Sequence, residues 1–219
     1  MKHIAFGLMI ILLAACAPAP ATITEPPPTY TAIVPATAAP ATPMDADQNP
    51  VGKCPLDEGT DVDAASVLVP GPINGVPAST AGGERLVVIV TVLDGDCQPA
   101  EGAAVQVWHT DAAGLYAPAD STEECCMFGG TVRSDAHGRF RLDTIRPAGY
   151  AGQDAPAHIH MDIEHSVGHL QTEFMFEGDK YLPSVIGNSF QIFAIRLTKQ
   201  TDDAGPYWFG RLTITLIGN

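Results

Sequence analysis

The chain is short of positive charge. Its 219 residues carry 11 Lys and Arg against 25 Asp and Glu, a net charge of −14. A field of that sign repels phosphate backbones, which excludes nucleic acid as a partner, and it disfavours docking on anionic lipid. No apolar run reaches the ~20 residues a membrane-spanning helix needs. The chain also lacks a Gly-rich phosphate loop and a Ser nucleophile elbow, which argues against nucleotide and serine-hydrolase chemistry. Beyond residue 50 there is no long helical periodicity and no internal repeat, so a helical bundle or a solenoid is excluded.

What is present begins at the N-terminus. Lys2 precedes an uncharged apolar run from Ile4 to Leu13, which ends in Leu13-Ala14-Ala15-Cys16. That sequence resembles the lipobox of bacterial lipoprotein signal peptides, in which the chain is cut before the Cys and the Cys is lipid-modified. Residues 1–15 are therefore expected to be a signal peptide and Cys16 a lipidation site. The expectation is an exported protein held by lipid to a bacterial membrane, at the cell surface or on the periplasmic side. Residues 16–50 are rich in Pro, Ala and Thr, including Pro26-Pro27-Pro28. Such a stretch buries no core and is expected to act as a semi-rigid tether, reaching roughly 100 Å at about 3.1 Å per residue. Residues 51–219 have the length of one domain.

Four further cysteines, Cys54, Cys97, Cys125 and Cys126, form an even set in an exported chain and predict disulfides. Sequence neighbours rarely bridge each other. Cys54 and Cys97 are therefore expected to pair with Cys125 and Cys126, in an order left open. Compartment and spacing argue against a Cys-rich metal site.

Short β-rich runs recur through the domain: 86–93, 104–109, 138–145, 157–164, 170–176, 190–197 and 207–217. The breaks between them include Asp94-Gly95-Asp96, Asp111-Ala112-Ala113-Gly114, Asp135-Ala136-His137-Gly138 and Pro147-Ala148-Gly149. This punctuation predicts an all-β fold, a β-sandwich of mostly antiparallel strands with long loops able to carry a site.

Tyr116, Tyr150, His158 and His160 are the candidate site residues. His158-Ile159-His160 sits in a strand-like run, and residues two apart on a strand face the same way, so both imidazoles can converge on one point. Their setting makes the pattern specific. Val105-Gln106-Val107-Trp108 runs into Asp111-Ala112-Ala113-Gly114-Leu115-Tyr116. Gly130-Thr131-Val132-Arg133-Ser134-Asp135 leads through Gly138 to Thr144-Ile145-Arg146-Pro147-Ala148-Gly149-Tyr150, and Pro156-Ala157-His158-Ile159-His160 closes the set. Over roughly residues 71–180 this order resembles the catalytic domain of the intradiol ring-cleavage dioxygenases, of the catechol and protocatechuate dioxygenase kind.

The resemblance implies a non-haem iron(III) centre with Tyr116, Tyr150, His158 and His160 as ligands. Iron(III) is a hard cation and tyrosinate a hard anionic ligand, so the residue types suit the metal; the 2-His-1-carboxylate pattern of iron(II) oxygenases is absent. It implies further that a catechol binds through both oxygens, that Tyr150 leaves the metal and acts as a base, and that O2 is incorporated with cleavage between the two hydroxylated carbons. The product would be a muconate-type diacid. Two positions depart from the family pattern. An Arg three residues before the first His is replaced by Ala155, with Asp154 beside it, and a Gln is replaced by Glu173. Both changes make the pocket less positive. Ile73, in Gly71-Pro72-Ile73, would line the pocket by the same resemblance. The helical N-terminal dimerisation region of the longer catechol dioxygenases is missing, and the oligomeric state is left open. Trp108 is expected in the core, and His109, His137, His165 and His169 are expected on the surface or hydrogen-bonded. The alternatives are an iron- or catechol-binding exported lipoprotein without ring cleavage, and a metal-free adhesion or carbohydrate-binding sandwich.

Overall fold

The computed structural model describes residues 54–71, 82–117, 126–183 and 192–217, all of which fall in one compact unit. The expected signal peptide, the lipidation site Cys16, the tether, Ile73 and Cys125 lie outside the described residues.

Among the described residues, ten strands form two five-stranded sheets. The first sheet runs in the order β1 (Val67–Leu68), β5 (Arg139–Ile145), β2 (Arg85–Leu93), β10 (Gly205–Thr215) and β9 (Thr198–Asp202). The second runs β4 (Phe128–Arg133), β3 (Ala104–His109), β6 (His158–His165), β7 (Gly168–Phe176) and β8 (Ile192–Ile195). The β1–β5, β2–β10 and β7–β8 pairs are parallel and the remaining pairs antiparallel. The architecture is the mostly antiparallel sandwich that the short, punctuated β-rich runs predict.

Alternation decides which side chains meet between the sheets. Leu86, Val88, Val90 and Val92 of β2 project inward with Phe140 and Leu142 of β5 and Leu212 and Ile214 of β10. They pack on Val105 and Val107 of β3, Ile159, Met161 and Ile163 of β6, and Phe174 and Phe176 of β7. Each such side chain contributes roughly 1.5–3 kcal/mol through burial. Because Ile159 and Met161 point into this core, His158 and His160 must point out of the opposite face of the second sheet.

β2 departs from alternation: residues 86–93 are buried on both faces. The segment from Cys54 to Asp63 covers its outer side. There Asp57 accepts hydrogen bonds from Arg139 Nε at 2.6 Å and Nη2 at 3.0 Å and from Thr91 Oγ1 at 2.8 Å. The Asp57 amide donates to Thr213 Oγ1 at 2.8 Å. The strap thus ties β5, β2 and β10 together from outside.

The strap also corrects the expected disulfide pattern. Cys54 bonds Cys97, with Cα atoms 5.5 Å apart, rather than Cys125 or Cys126. The turn after β2 carries Cys97 in the left-handed region at φ 61°, directly beneath the start of the strap. Cys126, two residues before β4 in the other sheet, is also disulfide-bonded. Strands β1, β4 and β9 were not among the predicted runs. β4 contains Gly129 and Gly130, and β9 is exposed throughout with a polar sequence, so neither shows a period-two apolar pattern.

Candidate metal centre

Two turns and one strand build the site on the outer face of the second sheet. The first turn follows β3. Asp111 Oδ1 accepts the amides of Ala113 at 2.8 Å and Leu115 at 2.9 Å, and the Leu115 carbonyl accepts the Asp111 amide at 2.8 Å. This closed Asx turn aims Tyr116 at the sheet. The second turn follows β5 and carries Tyr150.

The two turns are bonded to each other. Thr110 Oγ1 donates to the Ala148 carbonyl at 2.7 Å, the Ala148 amide to Asp111 O at 3.0 Å, and the Ala151 amide to Gly114 O at 3.2 Å. Gly114 has φ +82°, and a Cβ there would run into the Gly149 carbonyl and the Ala151 amide. Gly149 has no room either, because its missing Cβ faces the Ala155 carbonyl. The two glycines allow the backbones to touch, and that contact brings the tyrosines together.

Four donor atoms converge. Tyr150 Oη lies 3.1 Å from Tyr116 Oη, 2.9 Å from His158 Nε2 and 3.3 Å from His160 Nε2, and the two Nε2 atoms are 3.1 Å apart. A metal bound at about 2 Å to each of several ligands holds neighbouring ligand atoms about 3 Å apart, so the spacing fits a small cation.

Proton placement points the same way. His158 Nδ1 is 2.8 Å from the Pro156 carbonyl, which can only accept, so Nδ1 carries the proton and Nε2 offers a lone pair. His160 Nδ1 lies 3.4 Å from Glu173 Oε2, which favours the same tautomer. Two lone pairs then face each other at 3.1 Å, and the single Tyr150 proton can serve only one of them. A cation at the centre satisfies both. Burial, then the neighbouring His158 and His109, pushes His160 down to about 4, so it is neutral and able to ligate at pH 7. Burial, the hydrogen bond to Tyr150 and the Glu173 carboxylate hold the Tyr116 phenol well above its usual range. Ionising it calls for a metal.

The sheet register fixes His160 from both sides. Trp108, His160 and Glu173 are direct cross-strand neighbours on β3, β6 and β7. The Trp108 indole stacks on His160 with centroids 5.1 Å apart and planes 10° from parallel. Trp108 is therefore an outer-face residue of the site, not a core residue. Val105, Val107 and His109 hold the inward positions of β3, and that alternation was the signal for it. The Pro156 carbonyl is the other participant that sequence reasoning missed; a backbone acceptor leaves no mark in residue types.

All four sequence-predicted ligands meet. Glu173 joins them: its carboxylate and one ring nitrogen each of His158 and His160 lie within 4.8 Å of one another. The Asp154 side chain is exposed, and Ala155 contributes its carbonyl to the packing against Gly149. The remaining histidines are not gathered here. His109 is buried and bonded to Thr110 O at 2.7 Å and Thr144 Oγ1 at 2.8 Å, linking the two sheets, and burial pushes it down to about 4. His165 contacts Glu101 O, His169 contacts Asp162, and His137 is exposed.

Fold and site together define an intradiol-type dioxygenase catalytic domain. Residues 72–209, more than half of the chain, match the model of the dioxygenase family, and the chain belongs to the intradiol dioxygenase family. It is 32% identical over 123 residues to catechol 1,2-dioxygenase of Acinetobacter baylyi, covering 47% of this chain and 39% of that protein. It is 34% identical over 124 residues to the protocatechuate 3,4-dioxygenase beta chain of Burkholderia cepacia, covering 50% of each. The chain thus spans half or less of the length of these relatives. Among solved structures, 3-chlorocatechol 1,2-dioxygenase of Rhodococcus opacus superposes with a TM-score of 0.56 at 22% identity, over 80% of this chain and 76% of that one. The dioxygenase domain of a dioxygenase–carbohydrate-binding fusion from a cellulolytic Streptomyces superposes with a TM-score of 0.51 at 23% identity, over 80% of this chain and all of that one. At these identities the structural likeness is one of fold.

Proposed function

We propose that the chain is a non-haem iron(III) dioxygenase that opens catechol-type rings between the two hydroxylated carbons with O2, giving muconate-type diacids. The observation that carries this reading is the convergence of two phenol oxygens and two imidazole Nε2 atoms at 2.9–3.3 Å. Tyr116, Tyr150, His158 and His160 would hold the iron, which when bound supplies a hard Lewis-acidic site for the two catechol oxygens. Tyr116, His158 and His160 are the fixed members: His158 is anchored by Pro156, His160 by Trp108 and Glu173, and Tyr116 by the Asp111 turn. Tyr150 touches all three of the others and sits on a loop, so its Oη is the group placed to take a catechol proton.

In the same proposal the domain works outside the cytoplasm, carried by lipid on Cys16 and a Pro-rich tether, which the sequence Leu13-Ala14-Ala15-Cys16 supports. Intact-mass analysis of the N-terminal peptide from the membrane fraction tests that part. An unmodified residue 16 would rule it out.

The decisive experiment uses the purified chain with its disulfides intact. Bound iron is assayed, and the visible spectrum and O2 uptake are followed on adding catechols. A tyrosinate-to-iron band that shifts with substrate, together with O2 consumption and a diacid product, is the expected result. Iron and the band without O2 uptake across several catechols would overturn ring cleavage and leave a binding protein. No iron after reconstitution would overturn the site.

A further inference from the structure

The charge around the tetrad singles out one residue. Glu173 is about a quarter exposed, touches His160, and acts on the Tyr116 phenol. Its carboxylate is therefore partly solvent-accessible and lies beside a member of the tetrad. Among the described residues, no Lys or Arg pairs with the tetrad or with Glu173: Arg133 donates to Gly102 O, Arg141 pairs with Asp143 and Arg211 lies over Phe209. Arg85, Arg139, Arg196 and Lys199 pair with carboxylates away from the site, and Arg146 lies over the Phe176 and Trp208 rings. Lys180 sits in the loop that braces the start of β6 through Asp179, where it is engaged chiefly by Tyr181, at 4.3 Å from its ring, and then by Asp154 and Asp179.

Resting on the reading of the tetrad as a catechol site, we infer that Glu173 sets its charge selectivity: the site takes catechols bearing an ammonium group in preference to those bearing a carboxylate. A substituted ring bound at the tetrad meets the carboxylate that stands beside His160. Attraction of one unit charge or repulsion of the other by a carboxylate only about a quarter exposed changes affinity on the order of tenfold in each direction. Because Glu173 is partly exposed, the effect falls with ionic strength.

The test is calorimetric binding to the iron-loaded protein under nitrogen at pH 7, with dopamine, catechol and protocatechuate as probes. Expected is the affinity order dopamine, catechol, protocatechuate at low salt, with the spread narrowing as salt is raised. Glu173→Gln should shrink the dopamine-to-protocatechuate ratio by about tenfold or more, whatever it does to the affinity for catechol itself. A loss of His160 positioning would instead weaken all three alike. Should the variant not fold, the salt dependence of the wild-type ratio reads the same charge. Protocatechuate binding as tightly as dopamine, or a ratio insensitive to both salt and Glu173→Gln, overturns the selectivity and leaves the catechol site standing. Binding of none of the three overturns the catechol reading and this inference with it.

Discussion

Replacing Asp57 with Asn should remove about 2 kcal/mol of stability at pH 7 and almost none near pH 2. The Arg139 hydrogen bonds, chiefly, with the Gly59 amide and Thr91 hydroxyl, hold the Asp57 carboxyl at about 2 against an ordinary 3.8. Each unit of such a difference corresponds to 1.36 kcal/mol, so the ionised carboxylate stabilises the fold by roughly 2 kcal/mol. Only 24% of the Asp57 side chain and 16% of Arg139 are exposed, so solvent screening takes little of it away. The folded value lies below the unfolded one. The contribution is therefore complete above about pH 5 and drains away as pH falls from 3.8 toward 2. Asn keeps one acceptor but not the charge, and it leaves Arg139 without its counterion. In a domain of this size the neutral-pH loss lowers Tm by about 4–8 °C. The assay is urea denaturation of wild type and Asp57→Asn at several values between pH 7 and pH 2. A gap that stays constant down to pH 2, or no gap at pH 7, would refute the account of the strap. Iron binding should be the same in both proteins, because the strap lies on the outer face of the first sheet and the tetrad on that of the second.

Three further outcomes follow from the geometry. Gly114→Ala puts a side chain at φ +82° against the Gly149 carbonyl; it should cost about 1–3 kcal/mol in denaturation, and iron titration should show the larger defect because the two tyrosine turns must part. Retention of full iron affinity would sink the bracing role of that contact. Replacing Cys54 and Cys97 together by Ser opens a crosslink across 43 residues, which in the chain-entropy model removes roughly 4 kcal/mol; an unchanged urea midpoint would show that the strap needs no covalent anchor. Trp108→Leu strips the stack from His160 and should weaken iron binding about tenfold or more, whereas a core role would appear as a large stability loss with iron affinity intact.

Local pattern carried much of this protein. The short β-rich runs between turn signals, with the alternation of β5 and much of β6, are enough to predict a sandwich, since period two is a property of the strand itself. His158 and His160 are same-facing by that rule alone, and Asp111-Ala112-Ala113-Gly114 and Asp135-Ala136-His137-Gly138 announce turns because an Asp side chain can bond amides two and four residues on. The joint order of Tyr116, Tyr150 and Pro156-Ala157-His158-Ile159-His160 was specific enough to indicate the site. Tertiary structure alone decided the rest. Cys54 meets Cys97 because the strap crosses β2 from outside, a contact between segments 43 residues apart that no spacing rule encodes. β2 is buried on both faces for the same reason. Glu173 reaches His160, and Trp108 stacks on it, because the register of three strands sets these residues in one row. The two phenols meet because Gly114 and Gly149 let two distant turns touch. Facing and turn type follow from bonds within a few residues; pairing and convergence depend on which surfaces pack together, which is settled only when the whole core closes.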